Sequence, residues 1–405
     1  MNIVFVCSEY PIAGRPTGGF GSYVNNITNI IIKDNNRVTV LCRGQRSQSF
    51  LSHGKKVIVI DSKLNLIRSM SAFLLKVNFL NKILSFVEYP LYYSFLVYKK
   101  IRIMQQFEQI DLIEGGDFGG ELFFHLLLKS RSTVRNIIKL HTPSYLIRQF
   151  NDEPNNVFYK VMNFIESYCL IHVDYLYSPS KALAKLVSIK KKVKTAAIIP
   201  YPFEKGLSNV SIKKVKKNNN LILYVGKIQK KKGVYDIIDA FSLAVESNPL
   251  IELILVGPDT KINGLSSRME LEECITKKGI KNHVSFIGEV NQMILSRYYR
   301  KAIAVLVPSH WENFPNVILE AVKYHCLVIA TKVGGISEMI EDGQSGLLVD
   351  VGNVKQLAMS VLKAVSNKEL RINLTKNAKS MFMKRYSPIN IGKLTTDFYD
   401  KCLAN

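Results

Sequence analysis

Short runs rich in Val, Ile and Leu recur along this chain between longer segments of helical period, and that alternation constrains the fold more than any other feature. The first half carries "NIVFVC" (2–7), "RVTVLC" (37–42), "KVIVI" (56–60), "IDLIE" (110–114), "NIIKL" (136–140) and "DYLYS" (174–178). The second half carries "LILYV" (221–225), "IELILV" (251–256), "HVSFI" (283–287), "IAVLV" (303–307) and "LVIA" (327–330). Near-continuous apolar strands alternating with helices predict parallel sheets covered on both faces. Between the two series lies "SNVSIKKVKKNNN" (208–220), polar and basic, which reads as an interdomain linker. A chain of 405 residues is also too long for one ordinary core. Two α/β domains of similar size, each wound like a Rossmann unit, are therefore expected.

Hydrophobic residues at 47% and charged residues at 21% fit a globular protein. Lys and Arg number 55 against 32 Asp and Glu, a net charge of +23. The excess is not confined to a tail: residues 1–210 hold 27 basic and 14 acidic residues, and the remainder holds 28 and 18. Such a field attracts polyanions generally, whether nucleotides, anionic lipid or nucleic acid, and does not choose among them. Cys7, Cys42, Cys169, Cys274, Cys326 and Cys402 are scattered, with no C-x-x-C pair. Most lie in or beside apolar runs, where cysteine acts as a small hydrophobe; a reducing compartment and no structural zinc are expected. The opening "MNIVFVCSEYP" has no basic leader and meets Glu9 after a very short apolar run, so it reads as a first strand and not a signal peptide. No uncharged apolar stretch is long enough to span a bilayer, and a cytoplasmic location is expected.

One segment breaks the rhythm. Residues 62–109 are crowded with Phe, Tyr, Leu and Lys. They read either as a pair of core helices with solvated lysines, the commoner case, or as an aromatic and basic surface that rests on a membrane.

In parallel α/β sheets ligands collect beyond the carboxyl ends of strands, where loops lead into helix N-termini. Three such loops carry glycine. "PTGGFGSYV" (16–24) follows the first strand, but Gly19, Gly21 and Val24 miss the third glycine of a dinucleotide fingerprint. What survives is a flexible backbone, including Gly18 and Gly19, that can approach a ligand and offer N–H donors. In "VGKIQKKKGVYDIIDAF" (225–241) a strand ends at Gly226 and a helix begins after Gly233, with Lys227 and Lys232 flanking the helix start. A helix N-terminus carries partial positive charge and unpaired N–H groups, and two ammonium groups there would strengthen its hold on a diphosphate; the alternative is that these lysines are simply solvated. The third loop is "PSHWENFPNVILEA" (308–321), where Pro315 suits the first turn of a helix, placing Glu312 in the loop and Glu320 in the helix's second turn. "TKVGGISEMI" (331–340) supplies a further glycine loop and helix start. Glu320 alone would be a favourable partner for the helix dipole. Two carboxylates beside two glycine loops also suit a diol, such as a nucleotide ribose, which gives a carboxylate two hydrogen bonds.

Here the pattern resembles a family. "SHWENFPNVILEA" is similar to the Glu-x7-Glu motif of retaining glycosyltransferases of family 4, which have the GT-B fold, two Rossmann-like domains facing each other across a cleft. "SEYPIAGRPTGGFGSYV" (8–24) resembles that family's N-terminal glycine loop, "GKIQKKKG" (226–233) its G-R-L-x-x-x-K-G, and "GGISEMIEDGQSGLLV" (334–349) its G-G-x-x-E-x-I-x-x-G-x-x-G-x-L-V. The four motifs stand in the family's order and span nearly the whole chain. The division expected is 1–207 for an acceptor-side domain and 208–387 for a nucleotide-sugar-binding domain, with a C-terminal helix at about 388–405 packing back on the first.

The resemblance implies transfer of a sugar from a nucleotide-diphosphate sugar with its anomeric configuration retained. By motif position Glu320 would bind ribose hydroxyls, and Glu312 would lie beside the transferred sugar. Phe314 and the neighbouring backbone of Pro315 and Asn316 would contact sugar hydroxyls, while Lys227 and Lys232 would neutralise the diphosphate. Lys227 stands where the family has Arg, which keeps the charge and loses the bidentate fork. His141, in "KLHTPSY", matches the family's first-domain histidine that reaches towards the donor sugar; a capping or buried histidine is the plainer reading. Asp117 in "EGGDFGG" could orient the acceptor or simply make a turn, and His125, flanked by apolar residues, reads as structural. No Asp-x-Asp occurs, so no divalent metal and no cofactor are expected.

The rivals are another GT-B enzyme, either an inverting transferase or a nucleotide-sugar epimerase, and a basic nucleic-acid-binding protein. The last would need a basic cluster with interleaved aromatics or a reading helix, and neither coincides with the glycine loops; no nucleic acid is expected. The expected partners are the nucleotide-sugar donor, a glycan or lipid-linked glycan acceptor of cell-surface polysaccharide synthesis, and an anionic membrane touched peripherally at its inner face.

Overall fold

A computed structural model describes residues 1–12, 18–63, 86–128, 134–151, 156–195, 197–203, 217–262 and 265–404. Most of the 208–220 segment, and residues 64–85 of the aromatic segment, lie outside the described residues. The chain divides into two compact units, Met1–Pro202 with Pro388–Asn405, and Phe203–Ser387.

The first unit is built on β1 (Asn2–Val6), β2 (Arg37–Gly44), β3 (Gln48–Ser52), β4 (Lys55–Asp61), β5 (Leu112–Gly116), β6 (Arg135–Lys139), β7 (Tyr175–Ser178) and β8 (Ala197–Ile198). Their order across the sheet is β3-β4-β2-β1-β5-β6-β7-β8. All neighbours run parallel except β3 and β4. Ile3, Val4, Phe5 and Val6 of β1 are all buried, as a central strand covered on both faces requires. The edge strand β3 is exposed along nearly all its length and joins β4 through His53 and Gly54, both at positive φ (49° and 80°). Two positive-φ residues match the right-handed twist of a tight hairpin. The C-terminal helix Pro388–Ala404 belongs to this unit: its Phe398 ring lies 5.2 Å from Tyr177, and the Tyr399 hydroxyl donates to buried Glu114.

The second unit contains β9 (Leu221–Val225), β10 (Glu252–Val256), a small antiparallel pair β11 (Lys261–Ile262) and β12 (Leu265–Ser266), then β13 (Val284–Gly288), β14 (Ala304–Val307), β15 (Leu327–Thr331) and β16 (Leu347–Val349). Its main sheet is parallel throughout, ordered β13-β10-β9-β14-β15-β16. Helix Val234–Ser247 packs Ile237, Ile238 and Phe241 into the core of this sheet. Each such side chain contributes roughly 1.5–3 kcal/mol by leaving water.

The expected α/β class with two Rossmann-like parallel sheets is what the chain forms. The order of strands also locates the sites. In each sheet the winding direction reverses beside the first strand, between β1 and β5 in one unit and between β9 and β14 in the other. Loops leaving the carboxyl ends of such a strand pair part to opposite faces and leave a crevice between them.

Candidate active site

In the second unit three loops converge on Glu312. The first leaves β9 through Gly226 and Lys227, whose carbonyl accepts the Tyr224 hydroxyl at 2.7 Å. It makes one tight turn at Lys230–Lys232 and enters helix Val234–Ser247 at Gly233. Gly233 has φ +70°, and a Cβ there would lie 2.0 Å from the Pro308 carbonyl oxygen. No other residue fits, because the helix start is pressed against the loop that follows β14. The His310 N–H donates to the Lys231 carbonyl at 2.8 Å, and the His310 ring meets Asp236 at 3.1 Å, fastening the two loops.

The result is an ion pair. Lys232 Nζ donates to Glu312 Oε1, which also accepts the Ser309 hydroxyl at 2.9 Å. The two side chains keep 28% and 15% of their surface exposed, so the pair is open on one side. The third loop closes from beyond β15: the Gly335 N–H donates to the Glu312 carbonyl at 3.0 Å. Gly334 makes that approach possible, since at φ +46° a Cβ would stand 2.1 Å from the same carbonyl oxygen. Lys227 is exposed and is not part of the pair.

Glu320 lies apart from Glu312. Pro315 caps helix Asn316–Lys323, which puts Glu320 in its second turn, facing helix Gln292–Lys301. Its Oε2 accepts the hydroxyl of fully buried Tyr299 at 2.6 Å, and its Oε1 accepts Gln292 Nε2 at 3.3 Å. One oxygen is thus firmly held and the other loosely. The Phe314 ring turns inward, buried edge-on against Tyr386 at 5.5 Å, so only the backbone of that residue is placed to meet a ligand.

In the first unit Gly18 caps helix Gly19–Ile31, and a Cβ on Gly18 would sit 2.0 Å from Glu9 Oε2. Residues 13–17 of this loop lie outside the described residues. Phe20, in the first turn of the helix, packs its ring 4.1 Å from His141. His141 follows β6; its N–H donates to Asp117 Oδ1 at 2.9 Å, and its Nδ1 meets the Tyr201 hydroxyl at 2.5 Å. Burial, assisted by the nearby Lys139 charge, holds the His141 pKa well below the ordinary range, so the ring is neutral.

Three buried carboxyls surround the end of β5. Asp117 is fully enclosed, and its Oδ2 receives no hydrogen bond; burial pushes its pKa up to about 8. Glu121 gives Oε1 to the Ser8 N–H at 2.8 Å, leaves Oε2 unbonded, and is also pushed up to about 8, chiefly by burial. Glu166 ties the region together, accepting from Gly119 N at 2.9 Å and from the Ser144 N–H and hydroxyl at 2.9 and 2.8 Å. Burial raises it to about 7 despite those bonds. His125 lies buried in helix Phe123–Leu127.

Glu121, Glu166 and Lys139 were not among the residues singled out from sequence. Lys139 is wholly buried, donates to the Ile199 carbonyl at 2.9 Å, and lies 4.0, 4.4 and 5.3 Å from the ring centroids of Tyr23, Tyr177 and Tyr201. Burial lowers its pKa to about 7. A signal for it existed: a charge inside a continuous apolar strand, "NIIKL", demands a partner.

Among known structures, sucrose-phosphate synthase from Thermosynechococcus elongatus matches all of this chain and 99% of that one, with TM-score 0.74 and 18% identity. HepE of Anabaena, solved with UDP and glucose, matches 99% and 100% with TM-score 0.69 and 19% identity. The two parallel-sheet units are those of a GT-B glycosyltransferase fold. Within it, residues 209–381 match the family model of glycosyl transferases group 1, and the chain carries a group 1 domain there. An uncharacterized glycosyltransferase of Methanocaldococcus jannaschii is 30% identical over 216 residues, which are 52% of this chain and 54% of that protein. The capsular polysaccharide biosynthesis glycosyltransferase CapM of Staphylococcus aureus is 25% identical over 176 residues, 42% of this chain and 43% of CapM. These matches span about half the length of each relative.

Proposed function

We propose that the protein is a retaining glycosyltransferase of family 4 that moves a sugar from a nucleotide-diphosphate sugar to a lipid-linked glycan of a cell-surface polysaccharide. The observation that carries the reading is the convergence of Lys232, Glu312 and the Gly334–Gly335 loop at the winding reversal of the second sheet. The relation to CapM supports the polysaccharide role, and the likeness to HepE with UDP and glucose supports the donor class.

In this reading the acceptor oxygen bonds to the anomeric carbon on the face the diphosphate leaves. The carbon–oxygen bond to the diphosphate breaks, and a diphosphate oxygen takes the acceptor proton. The leaving group gathers negative charge, and what the chain supplies is positive potential aimed at it: Lys232, Lys227 and the start of helix Val234–Ser247. Lys232 is engaged with Glu312 before the donor arrives, so donor binding redistributes that pair. Glu312 then accepts hydrogen bonds from sugar hydroxyls and is a positioning group. Glu320 keeps Oε2 on Tyr299 and offers Oε1 to ribose hydroxyls in place of Gln292. On the acceptor side, enclosed Asp117 accepts the His141 N–H and positions that loop beside an incoming hydroxyl. No divalent metal takes part, and the protein works in the cytoplasm against the inner membrane face. Among the described residues no helix is long and apolar enough to cross a membrane.

A panel of nucleotide-sugars, scored for nucleotide release with and without membrane lipid, tests the activity; NMR of the product then reads the anomeric configuration. Release that needs both a lipid-linked acceptor and one nucleotide-sugar, with retention, supports the reading. An inverted product would assign a different GT-B chemistry, and a rate abolished by EDTA would restore a metal.

A further inference from the structure

The second unit has another cavity, at the opposite edge of its sheet from Glu312. It holds about 600 Å3 and is lined by Lys217, Ile303, His325, Lys368, Arg371 and Lys376, with Lys379 beside them. Ile303 directly precedes β14, and Lys217 and His325 stand a few residues before β9 and β15, whereas the Lys232 and Glu312 loops leave the far ends of β9 and β14. A five-residue strand separates the two edges by roughly 15 Å. The cavity is therefore a separate place in the molecule.

Its lining is cationic without compensation. One face of helix Lys368–Tyr386 presents Lys368, Arg371, Ile372, Thr375, Lys376, Lys379 and Ser380 to the cavity, the three- and four-residue spacing of a single stripe. Among the described residues no carboxylate lines it. Solvated helix faces ordinarily mix signs, because like charges three or four residues apart repel by some tenths of a kcal/mol.

Several of these groups are also fixed in place. Arg371 is buried, with NH1 donating to the Val365 carbonyl at 2.9 Å and NH2 to Asn219 Oδ1 at 3.1 Å. Lys217 Nζ is anchored to the Ala302 carbonyl. Lys379 Nζ lies 3.0 Å from His325 Nε2, which places a lone pair, not a proton, on that nitrogen. Burial, then the Lys379 and Lys217 charges, lowers the His325 pKa. His325 itself sits at φ +56°, a conformation a histidine adopts at a cost, on the rim of the cavity.

We infer that this cavity is a second anion site, taking a phosphate-bearing ligand of small-molecule size at the amino edge of the 203–387 sheet. The volume lies in the range of small-ligand pockets. The anchored Arg371 and Lys217 set the wall charge, while Lys368, Lys376 and Lys379 supply movable donors to phosphate oxygens. Ile303 gives a buried apolar floor and Ile372 an exposed apolar side for the rest of the ligand. The site stands independently of the proposed transfer reaction.

The test is titration calorimetry of the full chain with inorganic pyrophosphate, comparing wild type with K376A/K379A and with K232A. Lys376 is exposed and Lys379 half-buried on helix Lys368–Tyr386, away from its buried Leu374, Ala378 and Phe382, and alanine favours a helix, so the double variant folds; circular dichroism confirms it. Two classes of pyrophosphate site are expected in wild type. K376A/K379A should weaken one class tenfold or more and spare the other, K232A should do the reverse, and K376R/K379R should restore binding. Sedimentation with phosphatidylglycerol vesicles identifies the source: vesicle binding lost in K376A/K379A assigns a lipid headgroup, and unchanged vesicle binding with lost pyrophosphate binding assigns a soluble phosphate compound. A K376A/K379A isotherm identical to wild type overturns the site, as does loss of RNA-oligonucleotide binding with pyrophosphate binding intact. Loss of pyrophosphate binding in K232A alone would leave the donor reading standing and remove this one.

Discussion

Both units place carboxyl groups at the point where strand order reverses, yet the two sets are kept in different surroundings. In the first unit Asp117 and Glu121 are enclosed and raised to about 8, and Glu166 to about 7. In the second, Glu312 meets a lysine and a hydroxyl, and Glu320 meets a tyrosine hydroxyl, each with part of its surface in water. Burial disfavours the charged form and raises the first set, Asp117 and Glu121 most, with the Lys191 charge partly offsetting it at Glu166; a lysine, hydroxyl partners and solvent surround the second set. The difference teaches a division of labour. On the proposed reading, an ion pair with one open side suits an arriving diphosphate that can exchange into it, and the enclosed acids brace the loops of the other unit.

The harshest way to break this comparison is Lys232→Ala. If the lysine serves the leaving group, the single-turnover rate should fall about 10²- to 10³-fold, the usual cost of removing one charge-stabilising donor. Stability should fall by no more than about 1 kcal/mol, since the pair is partly exposed. A protein that melts much earlier but turns over normally would make the pair a structural fastener and erase the contrast.

Glu320→Gln is milder and sharper, because the amide oxygen can still accept the Tyr299 hydroxyl. Donor affinity in calorimetry should weaken by roughly 1.5–3 kcal/mol, as for hydrogen bonds to a charged group. Unchanged affinity would confine Glu320 to bracing Tyr299.

A third experiment addresses the first unit. A carboxyl whose folded pKa is raised gives stability that is present below its unfolded value, near 4, and is lost as pH rises through its folded value. Asp117, Glu121 and Glu166 all carry that sign and draw the first unit's stability down from pH 5 to pH 7, while His141, kept neutral by burial, opposes them up to its unfolded value near 6.5, so the net decline is clearest above that value. Lys139 has the opposite sign, but its contribution changes only between about 7 and its unfolded value near 10.4, outside that window. Denaturant melts of Asp117→Asn should show a shallower decline, by on the order of 1 kcal/mol per pH unit for one full proton. Equal slopes in wild type and variant would mean that Asp117 is ionised in the folded protein.

Much of this was legible in the sequence, and the reason is physical. Strands such as "LILYV" and "IAVLV" declare burial on both faces by composition alone, and two Rossmann-like parallel sheets follow from their alternation with helices, while the GT-B arrangement came from the resemblance of the four motifs. Among the strands that were missed, β3 is an exposed edge, β8, β11 and β12 are two residues long, and β16, a buried three-residue run, was read only as part of a motif. Local motifs likewise placed Lys232 and Glu312 in loops leaving neighbouring strands, and the structure joins them. Spacing could not reveal that Glu320 turns to Tyr299, or that the Phe314 ring faces inward, because those directions are set by helix packing. Nor could it reveal the first unit's cluster. Asp117, Glu166 and Tyr201 come from separated segments, and each alone resembles an ordinary polar residue.

Tyr201→Phe is the smallest probe of the comparison. It removes the hydroxyl that meets His141 Nδ1 and leaves the ring beside Lys139 and Tyr23. With Tyr201 donating to Nδ1, the neutral imidazole carries its proton on Nε2; without that donor, both tautomers become accessible. The stability cost should be about 1 kcal/mol, one buried hydrogen bond. If His141 acts in transfer as a neutral ring of fixed tautomer, kcat should fall several-fold with KM for the donor unchanged, and the imidazole nitrogen shifts in NMR should move together with the rate. A variant that loses stability but keeps both kcat and the nitrogen shifts would place Tyr201 in the packing of the first unit alone, and the neutral cluster around Asp117 would then be tuned by burial without help from this hydroxyl.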